Sequence, residues 1–453
     1  MKNFFLLITF FLSTTSSATH NRAGEITYEQ IGALTYQITV TTYTKASSVP
    51  ADRDSLEVFW GDGTSEYVQR SNGNGILLGN DIKENHYIST HTYSSIGAYT
   101  VSMTDPNRNA GILNLNPPNS DQIPFYLEAE IVILPTGTNN SPIFLNKPVD
   151  MGYIGQKFSH CPNHIDTEGD SLVYELVTPK QGINSLALNY SLPHLIGSQP
   201  QVYSFDAMTG MYTWLTPQIA GEYVITIRLK EYRNGVFIGS ILRDMQITIA
   251  AISNRPPDFS DTSNVVYEIK PGQSLQFMIS AEDSDNDSIR LAATGFPLQK
   301  NATFSASNNF MISTSGIFSW TPSVADVRNQ PYQMVFRVED NRGGTFGAVA
   351  YKVVRIKVDF PVSTKSIKQE TITNFKLFPN PVSNHLTIDF EKPILENTSL
   401  SIFKNTGELV KITAINQSQQ TVEFDVSDLS SGNYFFIFNE NGTMKKTQFL
   451  IVR

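Results

Sequence analysis

One stretch of this chain occurs twice. It reads Thr209-Gly210-Met211-Tyr212-Thr213-Trp214-Leu215-Thr216-Pro217, and later Ser315-Gly316-Ile317-Phe318-Ser319-Trp320-Thr321-Pro322. Each copy runs from a small polar residue and a Gly through alternating large side chains to a Trp, then stops at Thr-Pro. Gly admits the positive φ of a turn, alternation marks a strand with one buried face, and Pro cannot donate to a continuing ladder. An acidic cluster precedes each copy: Asp166, Glu168 and Asp170, then Asp283, Asp285 and Asp287. An alternating strand follows each. Tyr223, Ile225, Ile227 and Leu229 share one face in the first; Tyr332, Met334, Phe336 and Val338 share it in the second. Arg228 and Arg337 hold matching places on the opposite face. Agreement in order, chemistry and face marks a duplicated module. The chain is therefore expected to be all-β, built of tandem β-sandwiches.

The totals bound what such modules can do. A chain of 453 residues has room for roughly three or four domains of ~100–150 residues. Hydrophobic residues make up 40%, enough for real cores, while charged residues are 17%, below the ~25% of an average soluble domain. Mean hydropathy of -0.18 excludes a protein of many membrane spans. The net charge of -9 argues against a basic nucleic-acid-binding face. Cys161 is the one cysteine, so no internal disulfide forms, and the thiol is expected to be a small buried side chain.

Lys2, the apolar run from Phe4 to Leu12 and the small-residue end Ser16-Ser17-Ala18 predict a secretory signal peptide over residues 1–18, cut after Ala18. Ile238–Ile252 is the nearest thing to a later apolar span, and Arg243 and Asp244 break it. Export through the inner membrane with no helical anchor is the expectation.

The first domain is expected over 19–138. Tyr36, Ile38 and Val40 alternate with polar residues as in a half-buried strand. Trp60-Gly61-Asp62-Gly63, His91-Thr92-Tyr93 and Gly97-Ala98-Tyr99-Thr100-Val101 together resemble a polycystic-kidney-disease (PKD) domain, an immunoglobulin-like sandwich. Val58-Phe59 stands where that family has a further aromatic and Asp. The opening from His20 to Tyr28 also resembles the start of large surface proteins of gliding Bacteroidetes.

The duplicated modules are expected over 139–252 and 253–359. Each opens on a proline joint, Asn140-Ser141-Pro142 and Asn254-Arg255-Pro256-Pro257, which limits bending. Their pattern resembles bacterial cadherin-like and immunoglobulin-like repeats, and that resemblance implies stacked adhesive or spacing modules. Residues 360–373 read as a linker. The last domain, 374–453, carries Phe378-Pro379-Asn380-Pro381, the segment Gly407–Val410, and Leu429-Ser430-Ser431-Gly432-Asn433-Tyr434-Phe435 followed by Lys445-Lys446. These motifs, in this order, resemble the type A C-terminal sorting domain of the Bacteroidetes type IX secretion system. The resemblance implies recognition by that secretion machinery and attachment to surface lipopolysaccharide or release. The extracellular partner, protein or glycan, is left open.

Calcium is the expected ion. Asp283, Asp285 and Asp287 place three carboxylates at alternate positions, Glu339 and Asp340 follow the last strand, and Ca²⁺ takes six to eight oxygen ligands. The first copy offers Asp166, Glu168, Asp170 and Glu231, but Lys230 stands at the counterpart of Glu339, which makes it the poorer set. Against calcium stands a solvated Asp/Asn turn that caps backbone amides. His160, Cys161 and His164 carry ligand atoms, yet Pro162 lies between them and no fourth zinc ligand is near.

No Gly-x-Ser-x-Gly, His-Glu-x-x-His or Gly-rich phosphate loop occurs. A non-enzymatic surface or secreted protein, acting in adhesion, binding or spacing, is the expectation. One rival is a carbohydrate binder of polysaccharide uptake using Trp60, Trp214 and Trp320, which otherwise fill cores. The other is a hydrolase with acids such as Asp54, Glu57 and Asp62 spread over the first domain. Asp54-Ser55-Leu56, Asp170-Ser171-Leu172 and Asp287-Ser288-Ile289 resemble Bacteroidetes O-glycosylation acceptors.

Overall fold

The computed structural model describes residues 21–48, 52–106, 108–135, 137–261, 265–307, 310–342, 347–360, 373–394, 398–405, 408–415, 418–440 and 443–453. The expected signal peptide with Ala18, most of the expected linker, and Gly407 lie outside them. The chain divides into two compact units, 1–361 and 362–453. No helix among the described residues is long and apolar enough to cross a membrane.

Eight strands of the first unit set its plan: β1 (Asn21–Gln30), β2 (Thr35–Lys45), β3 (Ser55–Phe59), β4 (Gly97–Asp105), β5 (Phe125–Ile133), β6 (Ser171–Val177), β7 (Gly221–Arg233) and β8 (Val236–Ala250). β7 and β8 form a hairpin closed by Asn234-Gly235, both at positive φ, the residue pair that a two-residue turn between twisted strands favours. β8 then does something the repeat pattern does not announce. It pairs with β1 at Ala23–Met245 and with β5 over Gly239–Ile131 to Ile241–Ala129. One large sheet thus runs through β3, β4, β5, β8, β1 and β2, and β7 and β6 join it through β8.

The boundary expected at 138/139 therefore does not separate one sheet from another. One apolar core extends from Ala23 to Ile249. The physical reason lies in β8 itself. Ile238 to Ile247 are buried without a break, so both faces of the strand need cover, and strands from both expected domains supply it.

The residues that break its apolar run are included in that cover. Arg243 and Asp244 are neighbours, so they face opposite sides. Arg243 forks onto Glu25 of β1 at 2.7 and 3.1 Å, and Asp244 takes both Nη atoms of Arg108 at 2.6 and 2.7 Å. All four side chains are buried.

The module over 253–359 is a two-sheet sandwich. One sheet orders Asp258–Phe259, Leu275–Glu282, Ser313–Trp320 and Thr303–Ser307; the other orders Val266–Ile269, Val349–Val358, Tyr332–Asp340 and Ile289–Gly295. This is the immunoglobulin strand arrangement. The duplicated motif has the same job in both modules. Trp214 is buried edge-on to Tyr223 at 5.0 Å and Trp320 edge-on to Tyr332 at 4.9 Å. Their indole N–H groups donate to Gln201 and Asn301.

A tyrosine corner, another mark of immunoglobulin-like sandwiches, recurs along the chain. The hydroxyls of Tyr99, Tyr223 and Tyr434 donate to the carbonyls of Ser95, Ile219 and Ser430, and Tyr332 reaches back to Asp326. Gly precedes three of them by two residues, at Gly97, Gly221 and Gly432.

The second unit packs a three-stranded sheet against a four-stranded one. Phe390, Phe436 and Phe438 form the centre of its core. The whole is all-β: immunoglobulin-like sandwiches followed by a small C-terminal β domain.

Removing one partner of a buried ion pair costs about 3–5 kcal/mol. Arg243→Ala should lose that much in chemical denaturation, read as a shifted midpoint with an unchanged slope. Lys230→Ala, which breaks the partly exposed pair with Glu175, should change stability by less than about 1 kcal/mol.

Candidate metal centre

The loop before β6 turns on Asp166. Its Oδ1 accepts the backbone N–H groups of Gly169 and Asp170, the latter at 2.7 Å, and Gly169 sits at φ 81°, where a side chain is strained. Pairing of β6 with β7 sets Leu172 opposite Glu231. This register brings a carboxylate of β7 to the loop. Ligand atoms of Asp166, Asp170 and Glu231 lie within 4.8 Å of one another, and all three residues are buried.

Their partners are unequal. Asp170 is clamped by Arg233, with Nε at 2.8 Å and Nη2 at 2.6 Å. Arg233 also donates to Asn139 Oδ1 and the Thr138 carbonyl. Glu231 Oε2 accepts the Tyr28 hydroxyl at 3.0 Å and Asn139 Nδ2 at 3.4 Å. Asp166 Oδ2 and Glu231 Oε1 are buried with no partner among the described residues. Burial, then repulsion from Asp166, holds the Glu231 carboxyl well above its usual range. Burial raises Asp166 to about 6 against the two backbone hydrogen bonds. Glu168 leaves the cluster: its Oε1 accepts from Asn140 and its Oε2 from Thr167.

The third-module loop repeats the turn. Asp283 Oδ1 accepts the N–H groups of Asp285 at 2.8 Å and Asp287 at 3.0 Å. Asp340 takes Asn254 Nδ2 at 2.9 Å and the Ala348 N–H at 3.0 Å. Burial, then the charges of Asp283 and Asp287, raises Asp340 to about 6. Asp285 accepts the Arg255 N–H, and Arg342 lies 3.5 Å from Asp285 and 3.4 Å from Asp287. The expected ligand Glu339 is drawn elsewhere. It adjoins Asp340 on one strand and so faces the other side, where it pairs with Arg337 at 2.6 Å. Among the described residues, the close group of three is the one in the preceding module, which the sequence made the poorer set.

That group uses residues the motifs did not flag. Asn139, Arg233 and Tyr28 reach it through sheet pairing. One signal was available: Asn139 lies just before one proline joint and Asn254 opens the other, and Arg233 and Arg342 both follow the terminal acid by two residues.

The His160–His164 segment is not a shared site. His160 Nδ1 meets Asp150 at 2.6 Å, His164 Nδ1 meets the Tyr174 hydroxyl at 2.7 Å, and the Cys161 thiol donates to the Thr209 carbonyl at 3.5 Å. Trp60, Trp214 and Trp320 are all buried, so none offers a stacking face to a sugar. Asp62 is the turn former: it accepts from Thr64 at 2.6 and 3.0 Å and meets His91 at 2.7 Å. Asp54 is exposed and Glu57 accepts from Ser65.

In the second unit, Asn380 Oδ1 accepts the Leu450 N–H at 2.9 Å, and Val382 exchanges backbone bonds with Leu450 and Val452. The Pro379-Asn380-Pro381 segment, with cis peptides before both prolines, thus closes on the last strand. Tyr434 stacks on Phe449 beside Gly432; Lys445 reaches Asn374 and Lys446 lies 3.6 Å over the Phe435 ring.

Residues 376–453 match the family described as the secretion system C-terminal sorting domain. The chain thus carries a type IX sorting tail, which marks it for export to the cell surface or beyond. No curated protein matches the chain. Among solved structures, it is similar to the I67–I69 I-band fragment of titin, at 13% identity and a TM-score of 0.18, over 69% of this chain and 98% of that one. It is also similar to immunoglobulin domains 1–5 of Sidekick-1, at 10% identity and a TM-score of 0.17, over 95% and 80%. At such TM-scores neither likeness bears on function.

Burial raises the Cys161 thiol to about 12, so the folded protein should resist thiol reagents near neutral pH and react only on unfolding. Burial, then Arg328, lowers His164 to about 3 from its ordinary 6.5. The unfolded chain then binds more protons between those values, so this group's share of stability is present above pH 6.5 and is lost as pH falls toward 3. Melting curves of His164→Asn should show a shallower acid decline than those of the parent.

Proposed function

We propose that this protein is a non-enzymatic cargo of the type IX route. Its passenger serves outside the cell in adhesion, binding or spacing, with calcium as an expected ion of its sandwiches. The sorting domain at 376–453 carries this reading. An amino-terminal signal peptide would take the chain across the inner membrane first. The secretion machinery is then the partner of the tail, and lipopolysaccharide attachment or release is the passenger's fate.

The build of the first unit supports a mechanical role. The second and third modules meet through buried polar groups as well as a proline joint. Arg337 reaches Asp150 at 3.1 Å, and Gln333 donates to Asn163 at 3.2 Å and to the Thr209 carbonyl at 3.1 Å. Arg328 donates to the Asp166 carbonyl at 3.1 Å. Such contacts hold one module at a fixed angle to the next, as a spacer needs.

Removal of residues 374–453 should leave the passenger inside the outer membrane, seen by fractionation and by protection from added protease. Surface display of the truncated chain would contradict the reading. Turnover of a substrate by the passenger would contradict its non-enzymatic aspect, and retention on polysaccharide would move it toward carbohydrate binding.

A further inference from the structure

The group at the start of β6 has more negative charge than its surroundings balance. Asp166, Asp170 and Glu231 converge within 4.8 Å, and the guanidinium of Arg233 gives its bonds to Asp170 alone among them. Glu231 is 0% exposed and Asp166 2% exposed. Each keeps one oxygen without a partner among the described residues, although a buried carboxylate oxygen left bare is costly. Two such oxygens from different elements point to one missing positive charge.

We propose that Asp166, Asp170 and Glu231 bind a calcium ion, which ties the loop before β6 to the end of β7. The donors are all carboxylate oxygens, the choice of a hard cation rather than of zinc or copper. Calcium tolerates an irregular set, whereas magnesium demands near-ideal octahedral geometry and keeps most of its water. The ion would also reach the first strand of the unit indirectly. Glu231 holds the Tyr28 hydroxyl of β1, and Asn139 bridges Glu231 and Arg233. Binding should therefore stiffen the 138–142 joint.

The next module supports this as an arrangement kept through duplication. Asn139, Asp166, Asp170, Glu231 and Arg233 have counterparts in Asn254, Asp283, Asp287, Asp340 and Arg342. The register agrees, since Leu172 faces Glu231 and Ile289 faces Asp340. There the terminal acid is one methylene shorter, and Asp340 spends both oxygens on Asn254 and Ala348. The inference is independent of the export reading.

The alternative is a proton on Glu231 in place of a metal. Calcium chloride titrated into the full chain after chelation separates the two, read by calorimetry and by thermal melting. One tight equivalent of heat, a melting point that rises with calcium, and slower proteolysis at 138–142 are expected. Asp166→Asn and Glu231→Gln should each weaken that equivalent at least tenfold, while Asp340→Asn leaves it unchanged. If either variant does not fold, equilibrium dialysis of the parent against calcium still decides. A parent that binds no calcium and melts alike with and without chelator overturns the proposal and leaves the proton. Binding lost in Asp340→Asn but kept in Asp166→Asn and Glu231→Gln overturns it as well, as does magnesium bound in preference to calcium.

Discussion

Strand β8 carries two opposite charges side by side in a mostly apolar run, and the first unit is arranged around finding each a partner. A strand sends neighbours to opposite faces, so Arg243 and Asp244 must be neutralised from two directions. Glu25 comes from β1, 218 residues away in sequence, and Arg108 from a loop 136 residues away. Burying an ion pair gains little over burying hydrocarbon, but leaving one charge alone is expensive. The two pairs therefore act chiefly on specificity. A slip of β8 by one residue would bring Asp244 toward Glu25 in one direction, or Arg243 toward Arg108 in the other, and leave the remaining charge unpaired. That exclusion disfavours a slipped register between the two modules.

The same pairing governs how the unit forms. β1 lies between β8 and β2, so an early strand of the chain waits for one of the last to complete the sheet. Contacts this distant in sequence slow folding. The third module differs: its two four-stranded sheets are made from strands within 258–358. The second module has the same Trp-on-Tyr plug as the third, yet its β8 also pairs with strands of the first.

Most of the secondary structure could be read from the residues, because alternation is a local signal and burial follows it. The faces of Tyr223–Leu229 and Tyr332–Val338, the plugging tryptophans and the turn at Asp62 needed only neighbours in sequence. The sheet shared across 138/139 could not be read, because pairing between distant strands leaves no local trace. Arg243 and Asp244 were visible as interruptions of an apolar run, but their meaning lay in Glu25 and Arg108. The acidic centre was half visible for the same reason. Asp166, Asp170 and Glu231 could be named from the repeat, whereas Arg233, Asn139 and Tyr28 are found only through the register. Glu339 and Asp340 read as following the last strand, whereas both belong to the strand Tyr332–Asp340, where neighbours face opposite sides.

The two acidic loops show what a small change in reach does to a duplicated arrangement. Both use their first Asp to cap backbone N–H groups through one oxygen, and in both its second oxygen has no partner among the described residues. The difference lies with the terminal acid. Asp340, on its short stem, is saturated by Asn254 and by the N–H of Ala348 from the following strand. Glu231 reaches further, is saturated on one oxygen only, and stands close to two other carboxylates. A group placed so deep among like charges has to be neutralised, by an ion or by a proton. Arg233 gives its hydrogen bonds to Asp170, Asn139 and the Thr138 carbonyl instead. The arginine common to both modules thus sets how much charge remains, and one methylene sets whether the remainder is gathered at a single point.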